Sequence, residues 1–205
     1  MPLLLEEGAA LVRFAREAMR TYLVEGREPD PPKDVPSSLL QLRNGVFLTL
    51  EKYPGMEMRG YIGFPYPETP LVFTIVRAAI GTAVGDMRFQ EVGVEELDRI
   101  VIRVTVTSEP KKLSWKDPRD LVRQIEVGRD GLIAQAGRHV GRLLPQVAVE
   151  RHWNEEEFLN NLCIHAGLPG YAWQEGKVEI STFTAQIFEE EAPGGNVKEV
   201  RLPTY

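Results

Sequence analysis

Six consecutive residues in the first half of the chain combine two polar side chains with two glycines: Met58-Arg59-Gly60-Tyr61-Ile62-Gly63. An extended strand turns alternate side chains to the same face, so we expect Arg59 and Tyr61 side by side, about 7 Å apart. A guanidinium binds carboxylates and phosphates through parallel hydrogen bonds, while a phenol ring packs against the body of a ligand. The spacing therefore suits a site for a small anionic molecule, with Arg59 as its anchor.

The remaining residues of the predicted site provide space and one further polar group. Gly60 and Gly63 lack side chains, which leaves room for a ligand or for another stretch of backbone. If a short helix begins at Pro145, Gln146 lies one turn before Glu150, and we expect this pair to face the glycine-rich strand. The predicted ligand-binding residues are Arg59, Gly60, Tyr61, Ile62, Gly63 and Gln146.

The same residues also have a structural interpretation. A buried arginine commonly binds carbonyl or carboxylate groups of its own chain, and a tyrosine commonly covers the edge of a core. Arginine and tyrosine are also frequent at the centres of protein interfaces, so the alternative function is a non-catalytic interaction module. A deep site with convergent polar groups favours the ligand-binding hypothesis, and a flat exposed patch favours the interaction module.

Other reactive groups are poorly placed for chemistry. The single cysteine, Cys163, shares helical spacing with Leu159 and Leu162, which predicts a buried and unreactive thiol. One cysteine forms neither an intramolecular disulfide nor a cysteine-based zinc site, and the histidines lack the spacing of metal ligands. No glycine-rich phosphate loop or serine-hydrolase motif occurs. The sequence therefore assigns no catalytic residue, no metal and no cofactor.

Composition restricts the remaining function classes. The 205 residues carry a net charge of −6, and 43% of them are hydrophobic, as in an ordinary folded domain. No run of basic residues occurs, which disfavours nucleic-acid binding. The apolar run Met1-Pro2-Leu3-Leu4-Leu5 is too short for a signal peptide or a membrane span, and acidic residues follow it directly. We therefore expect a cytoplasmic protein with no membrane contact.

Periodicity and turn residues predict the elements that position these side chains. The first half begins with a helix over Glu6–Glu25, which ends at Gly26, and continues with a strand over Val46–Leu50 that forms a hairpin with the hexapeptide strand. A second helix follows, with Thr69 as its N-cap and Pro70 at its first position, and runs to about Val84. The last element of this half is a half-exposed strand over Ile102–Val106. The second half contains a turn at Asp130-Gly131, a turn at Gly137-Arg138, a helix over Glu155–Ala166 opened by a capping box at Asn154, and a closing strand over Val178–Glu189.

This order of elements predicts an α+β fold. We expect two sheet-and-helix halves with mainly antiparallel strands and a cleft between the halves. The order of elements in the second half is similar to that in the first, which is consistent with internal duplication. The predicted halves are residues 1–109, which carry the motif, and residues 110–205, and we expect them to exchange strands.

Several further stretches accompany the hexapeptide along the chain: Gly45–Leu50, Asp86–Phe89, Gly128–Ile133, Leu143–Glu150 and Phe183–Glu190. In this order and spacing they resemble the AMMECR domain family, named after the Alport syndrome, midface hypoplasia and elliptocytosis chromosomal region. The resemblance covers nearly the whole chain. The hexapeptide of that family usually reads Leu-Arg-Gly-Cys-Ile-Gly, so this sequence differs from it at Met58 and at Tyr61.

The resemblance implies a fold more strongly than a function, because the family has no settled biochemical activity. A cysteine at the position of Tyr61 is a conceivable nucleophile in relatives, whereas a phenol, with a pKa near 10, is a poor substitute for it. Relatives are associated, through gene neighbourhood and fusion, with Memo-type proteins and radical S-adenosylmethionine proteins. The resemblance therefore implies partners of these two classes, acting in a shared pathway.

Overall fold

The computed structural model describes residues 2–33, 35–66 and 68–204. Its contacts divide the chain into two compact units, one of Met1–Thr107 with Gln186–Val200 and one of Ser108–Ala185 with Arg201–Tyr205. The outer bounds of the predicted halves, residues 1 and 205, lie outside the described residues. The division at residue 109 and the cleft between the halves stay predictions.

Five α-helices and eight strands are assigned in the described chain. The helices are α1 (Leu5–Glu25), α2 (Leu71–Ile80), α3 (Pro118–Val122), α4 (Pro145–Glu150) and α5 (Glu155–His165). The strands are β1 (Gly45–Lys52), β2 (Glu57–Phe64), β3 (Ile100–Thr107), β4 (Lys111–Lys112), β5 (Asp130–Ala136), β6 (His139–Leu143), β7 (Glu179–Glu190) and β8 (Val197–Val200). Shorter helical segments are Ser37–Leu40, Gly81–Gly85, Val94–Arg99 and Gly170–Glu175, of which Gly81–Gly85 is a π-helix.

The first unit packs two helices on a sheet. Its strand order is β2-β1-β3-β7, with β8 on the end of β7, and β2 forms an edge of this sheet. The core contains Leu48 and Val104 from the sheet, Leu11 from α1 and Ile75 from α2, all fully or almost fully buried. Because β1 pairs in antiparallel fashion with both β2 and β3, the hexapeptide strand is held along its inner edge.

The second unit packs α5 on a smaller sheet in which β5 lies between β6 and the first part of β7. The start of α5 has the predicted capping box: the Asn154 side chain accepts from the Glu157 amide at 2.9 Å, and the Asn154 amide donates to the Glu157 carboxylate at 3.0 Å. The Trp153 and Phe158 rings, 6.5 Å apart, form the hydrophobic contact that fixes the chain entering the helix.

The predicted α+β class is confirmed, and the pairings β1–β2, β1–β3, β4–β7, β5–β6, β5–β7 and β7–β8 are antiparallel. Helix α1 ends at Gly26 as predicted, since this glycine has a left-handed φ of 70° and its amide bonds to the Tyr22 carbonyl. The hairpin of β1 and β2 and the turn at Gly137 are also confirmed.

Three local predictions are wrong. Pro70, rather than Thr69, is the N-cap of α2, whereas the predicted extent to about Val84 agrees with the helical conformation, which continues beyond Ile80 as the π-helical segment Gly81–Gly85. Strand β3 is buried on both faces, with Thr105 only 1% exposed, because its polar side chains also lie under other groups of the fold. Asp130 begins β5 instead of forming a turn; its carboxylate accepts from the Glu126 amide at 2.9 Å and so stabilises the turn before the strand.

Candidate functional site

Arg59 lies at a β-bulge in the hexapeptide strand. Leu50 pairs with Gly60, but the next residue of β1, Glu51, pairs with Met58, so Arg59 has no partner in this register. A bulge interrupts the two-residue alternation of side chains along a strand. The expected placement of Arg59 beside Tyr61 assumed a regular strand, and that alternation is broken at Arg59.

The Arg59 guanidinium is buried and bound within its own unit. Its Nε and Nη2 donate to the Glu96 carboxylate at 3.1 and 2.9 Å, Nη1 donates to the Gln90 carbonyl at 2.8 Å, and Nη2 also reaches the Glu91 carbonyl at 3.2 Å. The hydrogen bonds from Arg59 hold the pKa of Glu96 below its ordinary value. These contacts correspond to the structural interpretation, and with the residue 7% exposed they leave little of the guanidinium accessible to a ligand.

The two glycines make room for groups of the protein itself. A Cβ on Gly60 would lie 2.7 Å from the Thr82 carbonyl oxygen, in the π-helical segment. A Cβ on Gly63 would lie 2.3 Å from the Phe47 ring, which covers this glycine from the neighbouring strand. Both positions therefore need glycine for space, and in both cases a protein group occupies that space.

Tyr61 is held through its ring and through its backbone. The rings of Tyr61 and Phe47 stack with centroids 6.1 Å apart and planes inclined by 22°. The Tyr61 amide donates to the Asp86 carboxylate at 2.9 Å, and the Tyr61 carbonyl accepts from Arg88 Nη2 at 3.2 Å. Asp86 and Arg88 thus bind the two backbone groups that Tyr61 directs away from β1.

Arg88 is an exposed cation beside Tyr61. Its Nε and Nη2 bind the two carboxylate oxygens of Asp86 at 2.9 and 2.7 Å, while its guanidinium carbon lies 6.0 Å from the Tyr61 ring and 5.5 Å from the Phe89 ring. These hydrogen bonds hold the pKa of Asp86 far below its ordinary value and raise the pKa of Arg88. The Arg88 side chain is nevertheless 57% exposed, and no acceptor for its Nη1 occurs among the described residues.

Sequence reasoning did not place Asp86 and Arg88 in the site. An aspartate followed two residues later by an arginine is explained by turn chemistry, and nothing in that spacing indicates that the pair binds Tyr61. The only signal was their position in one of the stretches that carry the family resemblance.

Ile62 and Gln146 occupy different units. Ile62 pairs with Leu48 and is partly buried beside the hexapeptide glycines. Helix α4 begins at Pro145 as predicted, and the Gln146 Oε1 atom is buried with no hydrogen-bond donor among the described residues. The expectation that Gln146 faces the glycine-rich strand stays a prediction.

Comparison with known proteins identifies the family. The model of the AMMECR1 family matches residues 12–188, a range that includes the hexapeptide, Arg88 and Gln146. The chain belongs to the AMMECR1 family. The crystal structure of an uncharacterised protein of Pyrococcus horikoshii is similar to this chain, with a TM-score of 0.89 and 47% identity over 96% of this chain and 98% of that one. A protein of Pyrococcus furiosus is 48% identical over 94% of this chain and 92% of its own length. A protein of Methanopyrus kandleri is 48% identical over 96% of this chain and 95% of its own length.

The hexapeptide of this chain contains no thiol. The hexapeptide carries Tyr61 at its fourth position, and Cys163 is buried in α5 of the second unit. Burial raises the pKa of the Cys163 thiol, which disfavours the reactive thiolate. Within the described part of the AMMECR1 chain, no group of histidine, cysteine and carboxylate side chains is arranged to hold a metal ion, and no helix is long and apolar enough to span a membrane.

Proposed function

We propose that this AMMECR1 protein binds a small anionic molecule, a carboxylate or a phosphate, at Arg88 beside Tyr61. One observation carries the proposal: Arg88 is fixed by Asp86 and by two aromatic rings, yet its side chain is 57% exposed. Arg59, the anchor expected from the sequence, uses its donors on Glu96 and on backbone carbonyls. Arg88 therefore takes the role of anion anchor, and the proposal assigns no catalytic residue.

The geometry makes Arg88 suited to this role. A guanidinium that is already oriented loses little conformational entropy when a ligand binds. Its Nη1, which has no acceptor among the described residues, can donate to an incoming oxygen. Asp86 neutralises part of the Arg88 charge, so we expect moderate affinity and a dependence on ionic strength.

The test compares anion binding by the wild type and by Arg88 variants. Inorganic phosphate and N-acetylglutamate amide serve as probes in NMR titrations that monitor the Tyr61 and Phe89 signals. We expect Arg88→Ala to weaken binding by about 10- to 100-fold, the loss of one hydrogen bond to a charged group. Arg88→Lys should recover part of the affinity, since lysine keeps the charge and lacks the planar fork.

A matched control is present in the same chain. Arg119 binds the Asp117 carboxylate as Arg88 binds that of Asp86: its amide, Nε and Nη2 donate to the Asp117 oxygens at 2.8, 3.1 and 2.9 Å. The Arg119 side chain is 79% exposed. Arg119→Ala should leave anion binding unchanged. Equal losses in the Arg88 and Arg119 variants, or no loss in Arg88→Ala, would contradict the proposal.

A second candidate function, the interaction module, is favoured by one observation. Met87, next to Arg88, is 99% exposed, and Met58 at the start of the hexapeptide is 50% exposed. Flexible thioether side chains adapt well to partner surfaces. Under this alternative the partner is a Memo-type or a radical S-adenosylmethionine protein of the cytoplasm, and Met87→Ser should weaken its association in a sedimentation assay without changing anion binding.

A further inference from the structure

Strand β2 leaves part of its outer edge open. Along an antiparallel strand, backbone groups alternate between bonding to the neighbour and pointing away from it. The Tyr61 amide and carbonyl point away from β1, since they bind Asp86 and Arg88. Gly63, two residues further on and opposite Phe47, therefore also directs its amide and carbonyl to the free edge.

Gly63 is accessible to another backbone. It has no side chain, and the Phe47 ring occupies the space above it on one face of the sheet. The residue is partly exposed, and within the described chain no turn or loop donates to its carbonyl or accepts from its amide. An unpaired amide and carbonyl on an edge strand form a ready template for one more extended segment.

Two arginines and one carboxylate, Asp86, lie beside this open edge. Arg88 lies against Tyr61 on one side of Gly63, and Arg77 lies over the Phe64 ring on the other, with 5.4 Å between its guanidinium carbon and the ring centroid. Arg77 is exposed, and none of the described carboxylates pairs with it. With Asp86 neutralising part of the Arg88 charge, the two guanidinium groups still leave an excess of positive charge at this edge, on a chain whose net charge is −6.

We propose that an extended acidic peptide adds to β2 at Gly63 and places a carboxylate on Arg88. This inference rests on the proposed function and names the molecule that carries the anion. The peptide backbone pairs with the Gly63 amide and carbonyl, and its acidic side chain reaches Arg88 Nη1. A second copy of this chain is a poorer occupant, because pairing β2 with β2 brings the arginines of both copies to one interface.

The test uses the peptide acetyl-Val-Thr-Glu-Thr-Val-amide as its probe. Calorimetry compares its affinity with those of the Gln-for-Glu peptide and N-acetylglutamate amide. Two further peptides are N-methylated on the backbone amides of either the odd-numbered or the even-numbered residues. We expect the peptide to bind at least about tenfold more tightly than N-acetylglutamate amide, since two backbone hydrogen bonds are added. Blocking one set of amides should abolish this gain and blocking the other should not, because a strand pairs along one edge only.

Variants and NMR complete the test. Arg88→Ala and the Gln-for-Glu peptide should each lose about tenfold in affinity, and Arg119→Ala should lose nothing. The Gly63 amide signal should shift on peptide addition and exchange more slowly with solvent. A peptide that binds no better than N-acetylglutamate amide, or equal losses with both methylation patterns, overturns the strand-addition inference while the anion site at Arg88 stands. If Arg88→Ala leaves the affinity for every probe unchanged, both proposals are overturned.

Discussion

Arg59 and Glu96 form a bidentate ion pair that joins the bulge of β2 to the segment preceding β3. Arg59 Nε and Nη2 lie 3.1 and 2.9 Å from the two Glu96 oxygens, and Glu96 also accepts from the Gly93 amide at 3.1 Å. The Arg59 side chain is 9% exposed. An arginine bound in this way holds two distant segments together, so its loss should affect folding before it affects binding.

Replacing Arg59 should therefore reduce stability. Arg59→Ala strands Glu96 and the carbonyls of Gln90 and Glu91, and we expect the free energy of unfolding to fall by roughly 2–4 kcal/mol. Urea denaturation provides the measurement. Arg27→Ala is the control, because Arg27 is 60% exposed and, among the described residues, its ion pair is with Glu25 at the surface. An unchanged midpoint in Arg59→Ala, together with weaker anion binding, would restore Arg59 as the ligand anchor.

Asp86 should contribute an acid-sensitive part of the stability. Its pKa in the folded protein lies below the ordinary 3.8, so its contribution is present above that pH and is lost as the pH falls below it. The stability difference between the wild type and Asp86→Asn should therefore shrink between about pH 5 and about pH 2 in thermal melts. Asp98→Asn, at a carboxylate that is 77% exposed, is the control for the substitution itself. A difference that stays constant with pH would refute this assignment.

Gly60 should tolerate no side chain. A methyl group there would meet the Thr82 carbonyl at 2.7 Å, and backbone cannot move aside cheaply, so Gly60→Ala should cost about 1–3 kcal/mol. Gly85→Ala is the matched change, since nothing lies within 4 Å of a Cβ at that position. Chemical denaturation of both variants decides the point, and equal midpoints would show that space is not what Gly60 supplies.

Cys163 should react slowly in the native protein. It is fully buried, and burial raises the pKa of its thiol, so a thiol reagent reaches it only after unfolding. Labelling rates followed by mass spectrometry should rise steeply in denaturant. A Ser114→Cys variant supplies an exposed reference thiol in the same molecule. Native labelling of Cys163 at the rate of that reference would indicate an accessible, reactive cysteine.

Local sequence signals were sufficient wherever the decisive contacts are local. The capping box at Asn154 depends on residues three apart, and the end of α1 depends on one glycine with a positive φ. The buried stripe of α5, which contains Cys163, follows from helical spacing alone. The α+β class follows in the same way, because the two hydrophobic periods distinguish helices from strands before any tertiary contact is known.

The chemistry of the hexapeptide depended on residues that the sequence keeps far apart. Arg59 could be recognised as an arginine beside glycines, but its role depends on Gln90, Glu91 and Glu96, which lie more than 30 residues away. The bulge that redirects it is a property of pairing with β1. Arg88 likewise became a candidate anchor only when folding placed it against Tyr61. The sequence by itself thus determined the elements and the family, whereas tertiary packing decided which arginine is buried and which remains accessible, because desolvation and hydrogen-bond satisfaction depend on neighbours in space.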